Sequence, residues 1–168
     1  KIAEELKSRH PGIFIVFGGP HVPDNADEFM KKYPFIDIAA HKEGERLIVP
    51  LLENYDKRKK WKEIPSISYI DEQGKYIQNQ LAVRIKDLDG IPSPYLNNIF
   101  KPLMDANPDE EWLVMWETNR GCPFSCTFCD WGSATAAKVN KFGLERLNAE
   151  LEWIKDQKVE FIFCCDAN

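Results

Sequence analysis

The sequence predicts an α/β fold in two parts, the second half of a doubly wound domain followed by the first strands of a barrel. Short apolar runs typical of buried strands alternate with segments that carry apolar residues at helical spacing, near both ends of the chain. Between them lies a stretch with a hairpin pattern and several prolines, which favours a connector. We therefore expect three segments, residues 1–55, 56–108 and 109–168.

The first segment alternates strand and helix. Residues 13–17 are a continuous apolar run, which predicts a buried parallel strand, and residues 35–39 predict a second short strand. Helical patterns precede the first strand, follow the second, and separate the two, with Asp24 or Asn25 as the N-cap of the middle helix. This alternation is that of a doubly wound domain.

The first predicted strand ends at Gly18 and Gly19. Two glycines let a ligand approach the backbone, and ligands of open α/β sheets bind at the carboxyl edge of the strands, although this pair alone is a weak signal. His21 is a lone loop histidine, which is more often structural or a hydrogen-bond donor than a metal ligand. Glu43 and Glu45 precede a helix, where carboxylates usually offset the helix dipole rather than act as an acid–base pair.

The middle segment predicts little helix. Residues 67–70 and 76–78 flank a turn and predict a β-hairpin. Pro92 and Pro94 then favour an extended linker. The basic run over residues 57–62 is predicted to be a solvated loop.

The third segment has the pattern of a strand, a helix and a strand. Residues 112–116 are an apolar run that predicts a strand, residues 160–164 predict the next strand, and apolar residues between 144 and 154 recur at helical spacing. Cys164 and Cys165 end the last strand, and we interpret them first as packing thiols.

Cys122, Cys126 and Cys129 follow the strand at 112–116 in the spacing Cys-x3-Cys-x2-Cys. They supply three thiolates, one fewer than a cubane iron–sulfur cluster requires, which would leave one iron open to a small molecule. Structural zinc would need a fourth ligand, which the distant histidines do not offer and only Cys164 or Cys165 could supply. Five cysteines are an odd number, which disfavours a disulfide framework. The spacing favours the open cluster over zinc and over disulfides.

These cysteines, with the aromatic residue Phe128 before the last one, resemble the motif of the radical S-adenosylmethionine (radical SAM) enzymes. Residues 117–123 and 129–132 resemble the branch of that family with an N-terminal cobalamin-binding domain, as do Gly-Gly-Pro-His at 18–21 and Glu-Gly-Glu at 43–45. The resemblance implies the end of a Rossmann-like cobalamin-binding domain, followed by the start of a TIM-type radical SAM barrel.

The resemblance also implies cofactors. A [4Fe–4S] cluster would bind SAM at its open iron and cleave it to a 5′-deoxyadenosyl radical, and cobalamin would carry a methyl group. Many radical SAM enzymes have Gly-Gly-Glu where this chain ends its last strand with a different sequence. The implied site residues are Cys122, Cys126 and Cys129 for the cluster, Phe128, Asp166 and Asn168 for SAM, and Gly18, Gly19 and His21 for cobalamin.

The activity implied by the resemblance is methyl transfer to an unactivated carbon of a small-molecule or peptide substrate, with electrons from a donor such as flavodoxin or ferredoxin. Two alternatives stay open. One is a radical SAM enzyme that rearranges or cyclises its substrate without methyl transfer. The other is a non-enzymatic iron–sulfur or zinc module. No catalytic residue beyond the cofactor ligands is predicted.

Composition sets further expectations. The formal net charge of −5 disfavours a nucleic-acid partner, and no apolar run reaches the roughly 18 residues of a membrane span. Reduced cysteines and a cluster predict the cytoplasm. The chain opens at Lys1 inside a helical pattern, and few residues follow Cys129, whereas a complete barrel takes about 250 residues. We therefore expect an internal piece of a longer enzyme.

Overall fold

The computed structural model of the chain describes residues 1–124, 126–128 and 138–166. The chain divides into two compact units, Lys1–Arg84 and Ile85–Asn168. In the described residues the first unit is built on a four-stranded sheet and the second on two two-stranded sheets. Strands β3 and β4, the predicted hairpin, belong to the sheet of the first unit. In chain order, the elements of the first unit are α1 (Ile2–Arg9), β1 (Val16–Phe17), α2 (Asp27–Lys32), β2 (Ile38–Ala40), α3 (Ile48–Asn54), β3 (Ile67–Ile70) and β4 (Tyr76–Gln78), with 3₁₀ turns at Gly44–Arg46 and Arg58–Glu63.

The sheet of the first unit has the strand order β1-β2-β3-β4. Strands β1 and β2 are parallel, and α2 provides the crossover that a parallel pair requires. The other two pairs are antiparallel. The predicted hairpin at residues 67–70 and 76–78 is confirmed to the residue.

Both faces of this sheet are covered by apolar side chains. Ile38 packs on one face with Leu51 of α3 and the buried Trp61. Its neighbour Ala39 packs on the opposite face with Met30 of α2. Adjacent strand residues point to opposite faces, so the two clusters lie on either side of β2. A sheet covered on both faces is the layered arrangement that the doubly wound prediction requires.

Strand β1 is shorter than predicted, because side chains take the backbone groups that a longer strand would pair. The Asp37 carboxylate accepts the Ile15 N–H at 2.8 Å, and Lys7 Nζ donates to the Ile13 carbonyl at 2.7 Å. The predicted cap of α2 is also displaced. Ala26 is the N-cap and makes no side-chain capping bond, while the Asn25 side chain accepts the N–H of Asp27, the first residue of the helix, at 3.1 Å.

The basic run is wrong as a predicted solvated loop. Arg58–Glu63 forms a 3₁₀ turn, and Trp61 within it is 1% exposed. The Trp61 indole donates to the Asn54 carbonyl at 3.0 Å and packs against Tyr69, with ring centroids 5.4 Å apart. Burying one large aromatic side chain therefore orders a segment whose lysines stay exposed.

The second unit contains a parallel strand pair joined by a helix. Leu113 lies opposite Phe161 and Trp116 opposite Cys164. A strand, a helix and a parallel neighbouring strand are the repeating unit of a barrel, as predicted. In chain order, its elements are α4 (Lys101–Ala106), β5 (Leu113–Trp116), β6 (Asn119–Arg120), β7 (Asn140–Lys141), α5 (Leu144–Asp156) and β8 (Phe161–Cys164), with β5 beside β8 and β6 antiparallel to β7.

The two faces of the β5–β8 pair differ. Val114 is buried beneath α5, where it packs with Ile154 and Tyr95. The other face is apolar and exposed. In a barrel the helices lie outside, so this exposed face corresponds to the inner layer of side chains. Its large side chains are Leu113, Met115, Phe161 and Phe163.

The linker is fixed to the start of α5 by polar groups. The Arg146 guanidinium donates to the carbonyls of Leu88 and Ile91, and the Asp89 carboxylate accepts the Gly143 N–H at 2.9 Å. The linker residues 87–96 form no helix, as predicted. Of the helices in the described ranges, none has the length and apolar character needed to cross a membrane.

Candidate functional site

The cysteine loop begins directly after β6. Gly121 has φ 112°, a conformation that side chains rarely adopt, so a glycine is required at this bend. Cys122 is buried and Cys126 is exposed, and both are free thiols. Cys129 lies outside the described residues. No group of three metal-ligating side chains occurs in the described part of the chain, which contains two of the three predicted ligands.

Phe128 is 91% exposed. Its ring therefore makes little contact within the described part of the chain, and its faces are open to a planar ligand. Asn168, the last of the residues predicted to contact SAM, lies outside the described residues. Asp166 is described, and its surroundings are polar.

Asp166 lies just beyond the carboxyl end of β8 and binds the chain beyond the end of β5. Its Oδ1 accepts the backbone N–H groups of Thr118 and Asn119 at 2.7 and 3.1 Å, and its Oδ2 accepts the Thr118 hydroxyl. Desolvation raises the pKa of Asp166, but the hydrogen bonds from Thr118 and Asn119, with a contribution from Cys164, outweigh it and hold the pKa below its usual value.

The segment that leads into Cys122 is also held by neighbouring backbone. The Trp116 carbonyl accepts the Cys165 N–H at 2.8 Å, and the Thr118 carbonyl accepts the Phe142 N–H at 3.1 Å. Strand β6 then pairs with β7. Backbone bonds from both neighbouring segments therefore fix the path of the chain into the cysteine loop.

In the first unit, the two predicted glycines follow β1 and play different conformational roles. A Cβ on Gly18 would lie 3.5 Å from the Cβ of Ala40, at the end of the neighbouring parallel strand. Gly19 has φ 82°, and a Cβ there would meet nothing within 4 Å. Gly19 is thus required for its backbone conformation, and its surface side is open.

His21 lies in the turn after these glycines and is exposed. It lines a groove of about 530 Å³ between residues of α1 and α2. The walls of this groove are mainly apolar and include Phe17, Phe29 and Phe35. The two predicted glycines do not line it.

Comparison with known proteins places these features in a family. No family model matches the chain. The chain is 39% identical, over 171 aligned positions that cover all of it, to 2-(S-pantetheinyl)-carbapenam-3-carboxylate methyltransferase of Streptantibioticus cattleyicolor. It is also 39% identical, over its whole length, to the cobalamin-dependent radical SAM methyltransferase TokK of Streptomyces tokunonensis. The chain belongs to the family of radical SAM enzymes with a cobalamin-binding domain.

Solved structures agree on the fold. The cobalamin-dependent radical enzyme OxsB, with aqua-cobalamin and S-adenosylmethionine bound, matches 99% of this chain with a TM-score of 0.69 at 23% identity, and this chain covers 23% of it. The radical SAM methyltransferase TsrM of Kitasatospora setae matches 99% of this chain with a TM-score of 0.63 at 17% identity, and 32% of it is covered. The chain spans a quarter of the length of the two curated relatives, 25% of each.

Sequence reasoning missed a buried histidine of this radical SAM family member. His41 Nε2 lies 2.7 Å from Ser68 Oγ, which also accepts the Tyr76 hydroxyl at 3.0 Å. Desolvation lowers the pKa of His41, and Lys42 adds to this effect, while the negative charge of Asp24 opposes it. Its position after an apolar strand was the available signal.

Sequence reasoning also missed Glu150 of α5. Its carboxylate is 3% exposed and accepts Trp116 Nε1 at 2.8 Å and Arg146 Nε at 3.1 Å. The signal was its spacing, because it lies one helical turn from the apolar residues Leu147 and Ile154 on the buried face. Glu150 anchors Trp116, which is the last residue of β5 before the segment that enters the cysteine loop.

Proposed function

We propose that the intact protein is a cobalamin-dependent radical SAM methyltransferase that acts on an unactivated carbon. The observation that carries this proposal is the 39% identity, over the whole chain, to two relatives that are named as methyltransferases. The Cys-x3-Cys-x2-Cys loop after β6 supports it, since its free thiols suit an iron–sulfur cluster with an open iron.

The residues present fit the proposed cofactors. Bound together, a [4Fe–4S] cluster, SAM and cobalamin would supply a 5′-deoxyadenosyl radical and a transferable methyl group. Cys122 and Cys126 would hold the cluster with Cys129. Gly121 turns the chain so that Cys122 is buried, which keeps one thiolate away from water. Limited solvent access and fixed backbone donors are the means by which a protein tunes a cluster.

The predicted cofactor contacts stay proposals. Phe128 offers an exposed ring on which adenine could stack. Asp166 and Asn168 were predicted to help place SAM, and we keep Asn168 as a proposed SAM contact, whereas the Asp166 carboxylate is already bonded to Thr118 and Asn119. In the first unit, Gly18 and Gly19 leave the carboxyl edge of β1 free of side chains, which suits a bulky cobalamin tail. His21 borders the apolar groove beside this edge.

We propose a cobalamin-binding segment at residues 1–55, a connector at 56–108 and a barrel segment at 109–168, in a chain whose two compact units are Lys1–Arg84 and Ile85–Asn168. The substrate would be a small molecule or peptide, and a flavodoxin or ferredoxin would supply electrons in the cytoplasm.

The decisive experiment for the proposed reaction is product analysis with the full-length protein under reductant. Methyl-labelled SAM and candidate substrates should yield both 5′-deoxyadenosine and S-adenosylhomocysteine, because one SAM provides the radical and another the methyl group. Deoxyadenosine alone, with the true substrate present, would favour rearrangement or cyclisation. Neither product from a protein with an intact cluster would contradict the enzyme proposal.

A second experiment tests the cluster ligands. Anaerobic reconstitution of Cys126→Ala should abolish the cluster, measured as bound iron and sulfide. Cys164→Ala is the matched control, since it removes an exposed thiol outside the loop, and it should retain the full cluster. The reverse pattern would show that the ligands are assigned to the wrong cysteines.

A further inference from the structure

The hydrogen bonds of Asp166 are concentrated on one dipeptide of this chain. Both backbone N–H groups and the hydroxyl that it accepts belong to Thr118 and Asn119. An ionised carboxylate offers about four acceptor positions, so these three donors occupy most of them. Such bonds to an ionised acceptor are among the strong hydrogen bonds of proteins.

One residue, Arg120, separates the dipeptide from the bend at Gly121, which the buried Cys122 follows. Strands β5 and β8 pair up to Trp116 and Cys164, and the Cys165 N–H still donates to the Trp116 carbonyl at 2.8 Å. Beyond that bond, the Asp166 carboxylate is the group that connects the end of β8 to the chain beyond β5 in the described residues. The Asp166 carboxylate thus takes the place of backbone pairing where the pairing of β5 with β8 ends, ahead of the cysteine loop.

We propose that Asp166 is a positioning residue, which fixes Thr118 and Asn119 and through them the entry into the cysteine loop, and that it does not bind SAM. This inference rests on the proposed function, because the loop matters only if it holds a cluster. A carboxylate that bound the SAM ammonium group would have about one acceptor position left for it beside the three donors that it already accepts. A carboxylate whose role is to hold the backbone in place needs no partner beyond the donors that it already accepts.

If Asp166 is a positioning residue, an amide side chain should be able to replace its carboxylate. In Asp166→Asn, the amide oxygen can accept the two backbone N–H groups, and the amide NH₂ can donate to the Thr118 hydroxyl. In Asp166→Ala, all three bonds are lost. Thr118→Val removes the hydroxyl bond and leaves both backbone bonds in place.

The test uses the full-length protein after anaerobic reconstitution. Bound iron and sulfide, the EPR spectrum of the reduced cluster, and SAM affinity are measured for each variant. Asp166→Ala should weaken cluster retention by roughly 10- to 100-fold, as is typical when a group that orients metal ligands is removed. Asp166→Asn should keep cluster retention and SAM affinity within about threefold of the original protein, because its bonds survive.

Two further variants separate positioning from a general loss of charge. Thr118→Val should give a smaller loss of cluster than Asp166→Ala. The double variant should be no worse than Asp166→Ala, because both changes remove the same Oδ2 bond. Glu160→Gln removes an exposed carboxylate at the opposite end of β8, and it should change nothing.

Hydrogen exchange of the Thr118 and Asn119 amides makes the proposal testable without a cluster. Both amides should exchange at least about tenfold faster in Asp166→Ala than in the original protein, and near the original rate in Asp166→Asn. A protein that takes up no cluster would contradict the proposed function. The exchange rates would still test whether Asp166 holds Thr118 and Asn119 in place. Unchanged exchange in Asp166→Ala would overturn the inference. So would Asp166→Asn with a full cluster and SAM binding weakened tenfold or more.

Discussion

The two units of this chain are stabilised in different ways. The first unit covers both faces of a four-stranded sheet with apolar side chains, including the fully buried Trp61 and Met30. In the second unit, one face of the β5–β8 pair is exposed, and charged groups connect its elements. Arg146 and Glu150 join the linker, α5 and β5, while Asp166 joins the end of β8 to the segment that leads into the cysteine loop.

The difference between apolar packing and charged hydrogen bonds suits the different cofactor sites that we propose for the two units. Apolar packing is non-directional and tolerates small shifts, which suits a domain that offers an open sheet edge. Hydrogen bonds to charged groups are directional and fix the backbone to a narrow range of positions. A loop that is proposed to hold three thiolates around one cluster would need that second kind of support.

The largest expected effect tests the apolar core of the first unit. Trp61→Ala should destabilise that unit by about 3–5 kcal/mol, because it empties a site that is 1% exposed. Native-state hydrogen exchange of β2 and β3 amides in the full-length protein would measure the loss. Protection of the β5 and β8 amides should not change. A global loss of protection in both units would mean that the chain unfolds as one cooperative body.

The next effect tests the charged network of the second unit. Glu150→Gln should destabilise the α5 region by roughly 2–3 kcal/mol, since it leaves the partly buried Arg146 without its counter-charge. The matched control on the same helix is Glu152→Gln. Glu152 pairs with Lys155 on the exposed surface, so its loss should cost under about 0.5 kcal/mol. Equal effects of the two variants on amide exchange in α5 would show that the burial of Glu150 does not increase the contribution of the Arg146–Glu150 pair to stability.

A smaller effect concerns the pH dependence of the first unit. Because burial depresses the pKa of His41 below its usual value of 6.5, the unfolded state binds more protons than the folded state just below that pH. Stability should therefore fall as pH falls through 6.5 toward the folded pKa, by at most about 1.4 kcal/mol per pH unit.

The measurement is the free energy of unfolding of the first unit in the full-length protein, obtained from amide hydrogen exchange between pH 5 and 7.5. His41→Gln should flatten the slope. His10→Gln, which changes an exposed histidine, should leave it intact. A slope that persists in His41→Gln would assign the effect to other groups.

The smallest effect isolates backbone conformation from packing. Gly19→Ala should cost roughly 1–2 kcal/mol, because φ 82° is strained for alanine although the space beside it is open. Gly12→Ala, where the surroundings are also open and φ is ordinary, should cost less than about 0.5 kcal/mol. Thermal unfolding of both variants would compare them. Equal costs would remove the conformational reason for glycine at residue 19.

The sequence alone predicted the local elements and the chemistry of the loop. The hairpin at 67–70 and 76–78, the strands around 113 and 161, and the helix from Leu144 follow from apolar periodicity and turn residues, which are local properties. The spacing of three cysteines indicated an open cluster for the same reason. The family resemblance is confirmed by relatives that cover the whole chain.

Tertiary structure decided the features in which distant residues meet. Asp37 shortened β1, Trp61 packed in the core with Ile38, and Glu150 became the buried partner of Trp116, because each depends on a group far away along the chain. Asp166 is the clearest case. Its place after a strand indicated a residue at the catalytic edge, but hydrogen bonds are directional, and only the fold could show that its acceptors point to Thr118 and Asn119.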